Sequence, residues 1–125
     1  VAVSNILGGN LGWNLSATAT TTLMTVAAEK IVKINRITVA NVDGAAAADV
    51  SLFVDGLTTA GADGITPTGA SATVYLAKTI SVPADATLVI SDTPIYLMEG
   101  DILKGGASAA SDLDLFISYE VLDDA

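Results

Sequence analysis

The chain of 125 residues contains no cysteine and no histidine. The first absence excludes disulfide frameworks, thiolate zinc sites and thiol nucleophiles. The second removes the general base that titrates nearest neutral pH, the commonest transition-metal ligand and any histidine-containing triad. Basic residues are scarce too: five Lys and Arg stand against 14 Asp and Glu, a net charge of −9. Displacing counterions from phosphate takes clustered Lys and Arg, so no nucleic-acid partner is expected. An anionic membrane surface would repel the chain. No apolar run approaches the ~18 residues of a transmembrane helix, so no membrane partner is expected either. Carboxylates, Lys, Tyr, Ser and Thr are what remain for catalysis, and neither an enzyme nor a cofactor is expected.

What is present favours strands. Val, Ile and Thr fill 36 positions, and β-branched side chains pack well on a pleated surface. Hydrophobic residues make up 51%, although 21 of them are Ala. That supports one compact core and one domain. Val1 to Ala28 carries no charge, yet it lacks a basic leader region and is broken by Ser, Asn and Gly. It does not read as a signal peptide, and the first Val is consistent with a removed initiator Met.

Two segments follow from the patterning. Residues 1–20 are apolar at Ile6, Leu7, Leu11, Trp13 and Leu15, but Gly8, Gly9 and Gly12 break any periodicity. Such a segment cannot bury itself. It reads as an extended N-terminal arm, either a strap over the domain's own sandwich or an arm docking on a neighbour with Trp13 as anchor. Residues 21–125 read as the folded domain. Short strands are expected at 23–26, 31–41, 49–54, 73–82, 87–90, 94–98, 101–104 and 113–121. Within 31–41 the alternation changes parity, from Val32 and Ile34 to Ile37 and Val39, which places a β-bulge near Asn35 and Arg36. In 73–82, Val74, Leu76, Ile80 and Val82 share one face. Residues 55–72 form a long contact or mobile loop, and 105–111 a small-residue loop. About eight short strands with regular turn signals indicate an all-β protein, a single antiparallel β-sandwich or jelly-roll-like domain.

With the strands placed, a likeness emerges. Asn41, Val50-Leu52-Val54, the Pro83-Ala84 turn, Glu99-Gly100-Asp101-Ile102 and the amphipathic run Leu113 to Val121 follow one another in order. Over residues 23–122 this order resembles the small β-sandwich accessory proteins, of decoration or cement type, in tailed-bacteriophage virions. The first hairpin turn departs from their usual Pro-Ala-Gly-Lys, reading Ala27-Ala28-Glu29-Lys30. Residues 1–20 have no clear counterpart there. The resemblance implies a structural virion protein at the capsid surface, made in the host cytoplasm. Its implied partners are the major capsid protein and copies of itself, as a trimer or other homo-oligomer. Other virion locations (head fibre, neck or tail) and a receptor- or carbohydrate-binding module are the alternatives.

Several constellations admit a chemical reading and a plainer one. Asp43, Asp55 and Asp63 each precede Gly and could offer oxygen to calcium, but the spacing lacks the regular ligand order of an EF-hand. Asp-Gly is ordinary turn chemistry. Asp112 and Asp114 could pair as glycosidase carboxylates, though a solvated strand face explains them as well. Lys30, Lys33 and Arg36 hold three of the five cations. They read as a solvated edge that resists strand pairing or as a patch for an acidic region of a partner.

Overall fold

The computed structural model describes residues 6–56 and 68–123. Nine strands appear in these: β1 (Ile6–Asn14), β2 (Thr22–Thr25), β3 (Lys30–Asn41), β4 (Ala48–Asp55), β5 (Val74–Val82), β6 (Thr87–Ser91), β7 (Ile95–Leu97), β8 (Ile102–Ala107) and β9 (Leu113–Asp123). One sheet runs β1-β9-β3-β6, with β7 also paired to β3; the other runs β2-β8-β4-β5. The pairings are antiparallel. The protein is an all-β sandwich.

The core follows from alternation. Leu113, Leu115 and Ile117 of β9 face Val50, Leu52 and Val54 of the other sheet's β4, and all six are buried. In β3 the expected bulge is present: the register against β9 shifts between Ile34 and Arg36. It turns Val32, Ile34, Ile37 and Val39 all inward, each at most 6% exposed. A strand without that extra residue would have presented one of the two pairs to solvent.

Three expectations are refined or corrected. The described part of the 1–20 arm lies on the chain's own sandwich, as the strap reading has it, but as a sheet strand: Ile6 to Asn14 is hydrogen-bonded to β9, and Leu15 beyond it is 2% exposed. Its glycines hide the strand from a periodicity count, while the outer edge of β9 supplies the backbone partners that hold it. Residues 1–5 lie outside the described set. In β5 the expected face is broken: Val74 and Ile80 are 45% and 42% exposed, whereas Ala77 and Val82 are buried. Thr79 at φ 48 and register shifts against β4 mark the irregularity that flips the phase. Gly105 and Gly106 belong to β8 rather than to a loop. A β-carbon on Gly105 would fall 2.5 Å from the Ser51 carbonyl oxygen, so these small residues serve close approach of chains. Most of the long 55–72 loop, residues 57–67 with Asp63, lies outside the described residues.

Candidate interaction surface

The longest open edge of the first sheet is built by β1. Leu15 donates its N–H to the Leu113 carbonyl at 2.8 Å, and the same register pairs Trp13 with Leu115 and Leu11 with Ile117. Hydrogen bonding alternates along an antiparallel ladder. The odd-numbered residues of β1 therefore bond β9, and Ile6, Gly8, Asn10, Gly12 and Asn14 direct N–H and C=O the other way. Among the described residues no strand pairs on that side. β1 carries no Lys, no Pro and no charge at all, the devices that usually blunt an exposed edge.

Side chains on the inner face of this edge are incompletely covered. Cross-strand partners share a face, so Leu7, Leu11 and Trp13 point the same way as the buried Leu115 and Ile117. Yet Leu7 is 68% and Leu11 38% exposed. The opposite sheet ends here in β2, which is only four residues long. An open groove of about 210 Å³ results, lined by Leu11, Met24, Val26, Lys30, Val32 and Tyr119 among others. Trp13 is half-buried against the core.

The basic cluster does not assemble into one patch. β3 is interior to its sheet, flanked by β9 and by β6 and β7, which corrects the reading of an edge guarded by cations. Lys30 sits at the groove and pairs with Asp123 at 3.0 Å. Lys33 lies 3.8 Å from Glu120 on β9. Arg36 is exposed beside the bulge, and no ion pair involves it among the described residues. Lys30 and Lys33 thus bind their own sheet together.

The carboxylates mostly shape turns. Asp43 accepts the Ala45 N–H at 2.9 Å. Asp55 accepts from Gly56 N–H, the Thr73 hydroxyl and Lys104 Nζ, and Lys104 above all holds its carboxyl below the ordinary value. Asp114 takes the Asn14 amide at 2.7 Å, tying β9 to the end of β1. Asp101 is 6% exposed and accepts the Met98 N–H at 2.8 Å; burial pushes its carboxyl up. Among the described residues no three carboxylates gather where they could hold a metal ion.

Sequence reasoning named Leu7, Leu11 and Trp13 as contact residues, and the structure places all three on one strand with Ile6. It missed that the strand has a side with no partner among the described residues. The signal available was the absence of charge through Ala28 combined with glycines, which suits a strand whose neighbour approaches closely.

No family model matches the chain, and no curated protein matches it. A solved structure described as "Bacillus endospore appendages form a novel family of disulfide-linked pili" is similar over 99% of this chain and 93% of that one. The identity is 15% and the TM-score 0.49, values at which the likeness carries no functional assignment.

Proposed function

We propose that this protein is a structural assembly protein without enzymatic activity, and more finely a decoration protein of a tailed-phage head. In this reading it sits on the capsid surface, bound to the major capsid protein and to copies of itself. The observation that carries it is the β1 edge: a nine-residue, uncharged strand whose outer backbone side is unpaired among the described residues, with exposed Leu7 and Leu11. A chain of net charge −9 that leaves one long neutral edge has a surface suited to association through backbone and apolar contacts. The order of turns over residues 23–122 that resembles virion accessory proteins supports the finer statement. Many weak copies of one contact would reinforce a shell through avidity.

An electron-microscopy map of the particle tests this. Density for the sandwich in hundreds of copies on the head is the expected result. Six or twelve copies at the portal axis would move the protein to the neck or tail. Its absence from the particle would overturn the virion reading.

A further inference from the structure

We propose that β1 is a homotypic docking strand: a second copy of this chain lays its own β1 antiparallel against it, about a twofold axis at Asn10. This rests on the reading of β1 as the assembly contact and names its occupant.

The sequence of β1 is self-complementary in this register. Residue numbers across the axis add up so that Asn10 meets Asn10, Gly8 meets Gly12, and Ile6 meets Asn14. These even-numbered residues are the ones whose backbone groups face the open side. Pairing them forms roughly ten new backbone hydrogen bonds, two at each directly opposed pair. On the inner face, Leu7 comes opposite the Trp13 indole, and Leu11 opposite Gly9 with the Tyr119 ring that lies over it. Leu7 at 68% and Leu11 at 38% exposed each gain an aromatic neighbour from the second copy.

Charge favours the same partner. Two copies carry −9 each and repel one another over most of their surface. β1 contributes no charge to the contact, and the acidic groups beside it on β9 are engaged: Asp114 by Asn14 and Glu120 by Asn35 and Lys33. A neutral strip bordered by satisfied carboxylates lets like-charged copies approach. An isologous twofold contact also closes on itself, so the edge is consumed rather than propagated into a fibre.

The experiment uses the full chain. Sedimentation over a range of concentrations should show a monomer–dimer equilibrium. Two substitutions should abolish the dimer while circular dichroism stays that of the parent fold. Gly8→Lys places a charge where a β-carbon meets nothing within 4 Å. Asn10→Pro removes an N–H that faces the open side and leaves the β9 ladder intact. Cysteine substitutions in this cysteine-free chain read the register. Asn10→Cys should oxidise to a reducible dimer, because directly opposed, hydrogen-bonded residues lie about 5.5 Å apart, inside the disulfide range of roughly 4.4–6.8 Å. Gly8→Cys should not cross-link alone, since its copies lie four residues apart, ~14 Å along the strand. Mixed with Gly12→Cys, it should. A parent protein that stays monomeric, a dimer that survives both edge substitutions, or Gly8→Cys cross-linking as fast as Asn10→Cys would each overturn the pairing. If an edge variant fails to fold, the cysteine set decides. A cross-linked dimer of a protein missing from particles would keep the pairing and remove the virion reading; a monomer that decorates heads would do the reverse.

Discussion

Gly9 of β1 lies beneath the phenol ring of Tyr119, its cross-strand partner on β9: a β-carbon there would fall 2.7 Å from the ring. The ring thereby covers the glycine's backbone, a device that recovers stability where glycine weakens an edge strand. Gly9→Ala should push the ring off the strand and cost about 1–3 kcal/mol, the range for overpacking. Gly8→Ala, one residue away and facing open space, should be neutral or add about 0.4–1 kcal/mol by restricting the unfolded chain. Denaturant unfolding of the two variants checks the contrast, and equal midpoints would show that Tyr119 is not fixed there.

The centre of the sandwich gives a second expectation. Ile117 is fully buried and pairs with Ile37 on β3 and Leu11 on β1. Ile117→Ala should lower stability by about 2–5 kcal/mol. A thermal unfolding curve matching the parent would contradict the inward phase of β9.

Legibility in the sequence followed chemistry that repeats along the chain. β9 alternates without a break, so its start and its buried face could be read directly, although it runs to Asp123, two residues past the expected end. The bulge in β3 was legible because a parity change leaves four apolar residues with only one way to face inward. β5 failed because Thr79 takes a positive φ, an event with no signature in Thr. β1 failed because three glycines remove side chains from the pattern while leaving the backbone able to pair. Lys30 and Lys33 were seen as a cluster, but their partners Asp123 and Glu120 are about ninety residues away in sequence. Only the β3–β9 pairing brings them together, and pairing partners are not written in local pattern.

Two carboxylates should pull the acid response in opposite directions. The hydrogen bond from Lys104, helped by Thr73 and Gly56, lowers the Asp55 carboxyl below its ordinary 3.8. Its stabilisation is complete above 3.8 and is lost as pH falls through the lower folded-state value. Burial raises Asp101, with the Met98 N–H opposing. Its charged form is the unfavourable one, so its contribution is best below 3.8 and is lost as pH rises through the raised value. Asp55→Asn should therefore flatten the acid-side decline, and Asp101→Asn should remove the opposing gain. Stability measured against pH for the parent and both variants tests the signs; an Asp55→Asn curve parallel to the parent's would refute the assignment to this ion pair.

Salt distinguishes an apolar, backbone-mediated attachment from one held by the basic residues. Two of the three clustered cations already bind carboxylates of their own sheet, Lys30 to Asp123 and Lys33 to Glu120, which leaves Arg36 as the one with no ion pair among the described residues. The β1 edge has no charge to screen. Exposed charges interact over ~8 Å at physiological ionic strength and over only ~3 Å at 1 M salt. If the protein reaches its particle through β1, that change leaves the attachment in place. It should even tighten the contact between copies, because salt screens the repulsion between their −9 charges. Particles washed in about 1 M salt, with a Debye length of ~3 Å, are therefore expected to retain the protein, and the purified chain should dimerise more strongly as salt rises. Release in that wash, together with loss of attachment in an Arg36→Ala variant at low salt, would show that the contact is electrostatic and lies on the β3 face instead of the β1 edge.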